Sequence, residues 1–398
     1  MKRRFSRRRI SPQETTVAAI LAALIFLVAF NLRPALTSVG PLLPRIGADL
    51  AVNEGVLGLL GALPLLAFAT VSPFVHYPAR RFGLERTLLV ALFLLAVGIL
   101  IRSFAGTAGL WIGTIVIGSA IAVGNVVVPT IVKRDYPRHI SLATGIYSAC
   151  IAVTASTASA IAVPTSLGWG WRGALALWAV PAVLVAMLWI ARARTDVPLA
   201  APSNTNLHAR GNVWTQGMAW LVAAFMGLQS LTFYFMITWL PTIETANGVP
   251  PAQAGFHLFL YQIVGIVAGL AIPRLMRRPD SQVAAAVTVT VPTLVGVAGF
   301  LLLPELGVVW AIVMGLGSGA SLVVALTLMS LRGRTQHETT QLSGMAQSVG
   351  YLLAAGGPAV AGILAEATGA WHAPLIMLGV FGTLQLIVAI FVGRPPRP

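Results

Sequence analysis

The sequence is poor in charge and poorer still in acid. Of its 398 residues 9% are charged, and Asp and Glu together number 11. A soluble globular domain carries about 25% charged residues, so most of this chain does not fold in water. Cys150 is the lone cysteine, which excludes a disulfide within the chain and says little about redox compartment. No glycine loop of phosphate-cradling form, no cluster at metal-ligand spacing and no nucleophile–base pair stands out. The expectation is therefore no metal, no cofactor and no enzyme activity, and an ATP-driven pump is disfavoured. No carboxylate falls in the middle of an apolar run either. Glu14, Asp49, Glu54, Glu85, Asp135, Asp196, Glu244, Asp280, Glu305, Glu338 and Glu366 all fall in loops or at run ends. Proton-coupled carriers often use an acid inside the membrane.

What is present is apolar. Hydrophobic residues make up 57% of the chain, with a mean hydropathy of +0.86. About 20 apolar residues in a helix cross roughly 30 Å of hydrocarbon. Such runs recur at 15–38, 53–76, 87–104, 109–133, 140–163, 172–192, 214–239, 252–275, 282–303, 305–330, 339–364 and 371–393. Backbone in lipid must bond internally, and continuous rather than alternating runs make these helices, not barrel strands. The opening "MKRRFSRRRI" followed by an apolar run has the outline of a signal peptide. The run is long and more apolar runs follow, so a first membrane span fits better.

The longest hydrophilic stretch, 192–212, divides the spans six and six. It predicts a bundle at 1–192, a linker at 193–213 and a second bundle at 214–398. Charge follows the same map. Of the 26 Lys and Arg residues, 22 fall on one side of it, and Arg33, Arg45, Arg102 and Arg172 do not. Positive charge gathers on the cytoplasmic side, so both termini and the linker are expected there. The net charge of +15 is then a matter of orientation, and no nucleic-acid partner is needed. A weak repeat relates the halves. At an offset of 197, "LPRI" at 43–46 pairs with "LPTI" at 240–243, Gly58 with Gly255, Arg80 and Arg81 with Arg277 and Arg278, and Gly118 with Gly315. Two six-span halves related by an axis along the membrane normal describe a major facilitator architecture.

Arg33 is the anomaly. It lies inside the first span and is followed by Pro34, at an insertion cost of about 2.5–3.5 kcal/mol. Two readings stay open. It snorkels to the interface while Pro34 ends the helix, or it faces a watery cavity and offers a planar guanidinium to substrate. Asn31, Thr37, Ser38 and Gly40 flank it, and no acid lies nearby in sequence. Further candidate substrate contacts are Asn125, Gln229, Tyr234, Tyr261, Gln262 and Gln347, each of which could instead bridge two helices. Gln229 and Tyr234, five apart, do not share one helix face. His76 and His257 are read as structural, with a minor chance of a part in proton movement. The Gly/Ala-rich segment 350–362, with Pro358, is built for close helix contact.

Four blocks, "NLRPALTSVGPLL", "GNVVVPTIVKRDYP", "LQSLTFYFMITWLPTI" and "SGMAQSVGYLLAAGGPAVAGILAEATGAW", together resemble the cyanate permease and 2-nitroimidazole transporter (CynX/NimT) family of the major facilitator superfamily. The resemblance implies an all-α membrane protein of twelve helices in two six-helix bundles. It also implies a carrier in the inner membrane of a bacterial-type cell that moves a small anion or a small planar, azole-like molecule by alternating access, and a monomer is expected. The alternatives are a drug or toxicant efflux carrier and a non-transporting membrane sensor, which would need an output domain. The superfamily's loop signature after span 2 places Arg80, Arg81, Gly83 and Arg86 in a conformational motif. Its usual Asp is replaced by Arg80, and the Arg of its span 4 signature by Thr114. Both replacements put the family's standard latch and proton coupling in question.

The charge map gives a direct expectation. A cysteine placed between residues 192 and 212, in a chain freed of Cys150, will resist an impermeant thiol reagent added to intact cells and react once the cells are opened. Ready labelling from outside would overturn the topology.

Overall fold

The computed structural model describes residues 23–136, 140–194, 213–277, 281–333 and 336–394. Among them there are helices and short 3-10 turns and no strands. The basic run at 2–9 and nearly all of the expected linker lie outside the described residues. Eleven helical stretches are long and apolar enough to cross a membrane, against twelve in the sequence. The difference lies in one stretch of 48 residues, Ile146–Ala193. At 1.5 Å per residue it would measure about 72 Å, more than twice a bilayer core. Gly170, at φ 66° and ψ 170°, breaks it, a conformation that costs glycine little. The expected fifth and sixth spans are thus its two arms, joined through a single glycine rather than a loop.

The first crossing consists of α1 (23–29), α2 (Pro34–Thr37) and α3 (Leu43–Leu50). The second is α4 (Glu54–Val71), and α5 (His76–Phe82) turns the chain into the third, α6 (Leu84–Phe104). Then follow α7 (Gly106–Asp135), α8 (Ile140–Ala176) and α9 (Ala179–Ala193). The second half contains α10 (Gly217–Ala246), α11 (Pro251–Ala271), α12 (Val283–Leu302), α13 (Gly307–Arg332), α14 (Gln336–Thr368) and α15 (His372–Val392). Strict alternation puts the start of α1 and the end of α15 at one face, called here the terminal face. Of the described cations, Arg80, Arg81, Arg86, Lys133, Arg134, Arg192, Arg194, Arg274, Arg332 and Arg394 fall there. The opposite face has Arg172, which pairs with Asp49 at 2.7 Å, and Arg45, bonded to Ser166 at 2.8 Å.

The expected first span is not one helix. Pro34 has no N–H to offer the Phe30 carbonyl, and the chain bends through 30–33 before α2 begins. It breaks again after Thr37, where a 3-10 turn (Gly40–Leu42) carries it into α3.

The buried apolar residues fall into three clusters, and their placement shapes the molecule. One is shared by both halves and runs from Ala35, Leu60, Phe68 and Ile121 to Leu231, Tyr261 and Ala354. The second belongs to the first half alone, with Leu32, Val75, Val127 and Tyr147. The third belongs to the second half alone, with Met226, Val324 and Ala346. The halves are fused toward the opposite face and separate toward the terminal face.

The repeat in the sequence is a repeat in packing. Gly118 in α7 lies against Pro64 of α4, where a Cβ would sit 2.8 Å from the Pro64 Cα. Gly315 in α13 lies against Tyr261 of α11, where a Cβ would sit 3.0 Å from the Tyr261 Cα. Pro64 and Tyr261 are themselves 197 apart. Gly58 and Gly255 do the same across the halves. Gly58 meets Pro358 and Ala359 of α14, and Gly255 meets the Ser159 carbonyl of α8.

Overpacking a tight core costs about 1–3 kcal/mol. Gly118→Ala and Gly315→Ala will each lower the melting temperature of the purified protein. Gly356→Ala, with nothing within 4 Å of its would-be Cβ, will leave it unchanged or slightly higher.

Candidate substrate-binding site

Arg33 stands at the N-terminal end of α2, just where the shared core divides, since Leu32 belongs to the first half's own cluster and Ala35 to the shared one. Its guanidinium is half-buried and donates to the Tyr234 hydroxyl of α10 at 2.7 Å. It lies 5.7 Å from the centroid of the Tyr234 ring and 6.0 Å from that of Phe233. Tyr147 and Tyr351 are its further electrostatic neighbours. No carboxylate pairs with it among the described residues. A snorkelling arginine would extend to an interface; this one turns to the other half of the protein.

An aromatic cluster surrounds the guanidinium. Tyr234 meets Phe233 at 5.2 Å and Tyr351 at 6.4 Å, Tyr351 meets Phe68 at 5.5 Å, and Phe233 stacks on Tyr261 at 6.4 Å. Edge-to-face and offset contacts of this kind leave ring faces able to take another flat π-system. Tyr351 and Phe68 were not singled out by sequence reasoning. Both lie in runs rich in apolar residues, and only their meeting across the halves marks them.

The other expected contacts divide. Tyr261 donates to Ser318 at 2.7 Å and joins the cluster. Asn125 is half-buried at the level where α7 passes from the shared core to the first half's own. Gln229 is at the equivalent level of α10, but its amide donates along its own helix to Ser230 at 2.7 Å and to Met226. Asn31 is buried and donates back to Leu27 at 3.0 Å, leaving its Oδ1 without a partner. Gln262 donates to Ser159 at 2.8 Å, so it pins α11 to α8 rather than pointing at Arg33. Gln347 is exposed on α14 below the fork. The structure brings Arg33, Tyr234 and Tyr261 into one group. It does not bond Asn31, Asn125, Gln229, Gln262 or Gln347 to them.

Sequence reasoning passed over three charged groups. Arg102, near the end of α6, is 1% exposed and donates to the Ala35 carbonyl at 2.6 Å. It lines a small cavity together with Thr114, the position where the superfamily's signature Arg is missing. Glu244 ends α10, as expected of a run-end acid, yet it is 1% exposed and bonds His257 Nδ1 of α11 at 2.7 Å. Glu85, in the first turn of α6, is buried and joins Arg192 at 2.6 Å and Arg134, while Asp135 also takes Arg192 at 2.6 Å. Of the loop motif, Arg80 and Arg81 are exposed, and Gly83, at φ 93°, makes the turn between α5 and α6. Arg86 donates to the Ala193 carbonyl at 3.2 Å. Glu85, two residues past that turn, instead ties the start of α6 to the ends of α7 and α9.

A model of the Major Facilitator Superfamily matches residues 18–356. The chain is 39% identical over 376 residues to the 2-nitroimidazole transporter of Escherichia coli (strain K12), covering 94% of this chain and 95% of that one. It is 28% identical over 349 residues to the cyanate transport protein CynX of the same organism, covering 87% and 90%. Among solved structures, a bacterial homolog of the human lysosomal transporter Spinster superposes with a TM-score of 0.77 at 14% identity, covering 96% of this chain and 97% of that one.

Removing one partner of a buried ion pair costs about 3–5 kcal/mol, because the other charge is left uncompensated. Glu85→Gln will therefore lower the melting temperature sharply, and Arg81→Gln, on an exposed side chain, will not. Equal melting temperatures would return the structural role to the loop arginines.

Proposed function

We propose a substrate class and a transport cycle from one premise: the chain belongs to the Major Facilitator Superfamily, and within it to the cyanate permease and 2-nitroimidazole transporter (CynX/NimT) family, and is a multi-pass secondary transporter of a small solute rather than an enzyme. The substrate is a small, electron-rich and planar solute, either an anion or an azole-like heterocycle. One observation carries this. A guanidinium with no carboxylate stands where the halves part, among aromatic rings from both of them. Arginine can give two parallel hydrogen bonds to an anion or to a polarised oxygen or nitrogen, and the rings provide faces for a flat body. The relatives' names, a 2-nitroimidazole transporter and a cyanate transport protein, fit that chemistry.

The described conformation is closed at the opposite face. Glu366 of α14 accepts from the Asn53 side chain at 2.7 Å and from the Gly55 N–H at 3.2 Å. It thus places a carboxylate on the positive end of α4. With the terminal face cytoplasmic, as the positive charge supports, this state faces inward in the inner membrane of a bacterial-type cell. The two halves, 1–192 and 214–398, rock about the fork with 193–213 as the linker between them, and one monomer is the working unit. Export of a drug or toxicant is the same cycle run outward. Any proton coupling would run through the Glu244–His257 pair rather than through an acid at the fork.

Flux into liposomes containing the purified protein separates carrier from sensor. Within that assay Arg33→Lys will fold normally and bind its substrate at least tenfold more weakly, about 1.4 kcal/mol, and Arg33→Ala will abolish specific transport. Binding by Arg33→Lys within twofold of the parent would leave Arg33 a structural link between the halves through Tyr234.

A further inference from the structure

Arg102 has more donors than partners. Its Nη1 donates to the Ala35 carbonyl at 2.6 Å, an acceptor available because the first span breaks after Thr37. Its Nε and Nη2 are buried with no hydrogen-bond partner. Arginine stays charged in proteins, and a buried charge is normally paired or fully hydrogen-bonded. Arg102 lines a cavity of about 20 Å³ whose walls include Thr114 and Pro64 from the first half and Tyr234 and Thr238 from the second. Arg102 is the sole charged residue of that lining. The volume exceeds the 10–15 Å³ that one water-sized particle needs, but not by enough for a multi-ring solute.

We propose that this cavity is a second anion site, separate from Arg33, in which Arg102 holds one chloride-sized anion. The Nε–H and Nη2–H donors are covered in the described state, so the guanidinium would turn into the cavity to give them to the anion side by side, as a fork presents them. Because the cavity has walls from both halves, the site is whole only while the halves are fused at the opposite face. Anion binding therefore stabilises that closed state. Tyr234 lies between the two cations: its hydroxyl accepts from Arg33 and its side chain lines the Arg102 cavity. The proposal does not rest on the transport reading, since an anion can bind here whether or not solute moves.

The test is a thermal melt of the purified full-length protein in chloride against gluconate, at constant pH and ionic strength. Chloride will raise the melting temperature saturably, by about 3 °C at a hundred times its half-saturating concentration. Arg102→Lys keeps the charge and one donor for the Ala35 carbonyl, so it will fold, and its half-saturating chloride will rise at least tenfold. Arg102→Gln will show no chloride response, and Arg33→Lys will keep the parent's. A response lost in Arg33→Lys and kept in Arg102→Lys would place the anion at the central site and overturn the proposal. So would a parent that melts alike in both salts, which would assign the two N–H groups to water. Should no solute be transported while chloride still protects through Arg102, the transport reading fails and this site stands. A transported anion that displaces chloride would make the cavity part of its route, whereas one that does not would leave chloride as a resident counter-ion.

Discussion

A guanidinium inside a hydrocarbon-spanning helix has to find its hydrogen bonds within the protein, because lipid offers none. The chain meets that constraint in three ways. Arg192 takes two carboxylates, Glu85 and Asp135, at the ends of three helices in the same half. Arg102 takes a main-chain carbonyl that the broken first span releases. Arg33 takes a neutral tyrosine hydroxyl from the other half. A carboxylate pair is strong and local, and it fixes a bundle. A single neutral acceptor across an interface is weaker, and it can be exchanged for a ligand. On the proposed function, the ordering from Arg192 to Arg33 runs from scaffold to binding site.

That exchange needs halves that fit in more than one way, and the duplicated packing provides them. Gly118 on Pro64 and Gly315 on Tyr261 hold each half together by the same contact. Gly58 on α14 and Gly255 on α8 are the related contacts between the halves. Small residues allow backbones to touch without long side chains interlocking. Such surfaces can separate and rejoin, which rocking about a central fork requires. Glu366 on the first turn of α4 adds a charge to the closed arrangement at one face only.

Much of this was legible in the sequence. Apolar runs of span length, the basic bias and Pro34 after Arg33 led to the membrane fold and to its central residue. Tyr234 and Tyr261 were legible as polar aromatics in an apolar setting. What could not be read was anything set by distance across the fold. Arg102 looked like a stray cation near a span end, because the carbonyl it binds is 67 residues away. Glu85 looked like a run-end acid with no partner, because its pairs lie 49 and 107 residues on, with Arg134 and Arg192. Gln262 and Gln229 were open to two readings in the sequence, ligand contact or helix bridge, and only the fold decides between them. The fold gives one to Ser159 in the other half and turns the other onto its own helix. The turn at Gly170 was hidden because both of its arms are helical up to the glycine.

The central claim is that Arg33 exchanges Tyr234 for substrate at the fork. A structure of the protein with a transported small planar solute bound tests it most directly. The account requires a polar atom of the solute within hydrogen-bond reach of the Arg33 guanidinium, its flat body against the Phe233, Tyr234 or Tyr351 ring. A solute seated elsewhere, with the bond from Arg33 to Tyr234 intact, would contradict it.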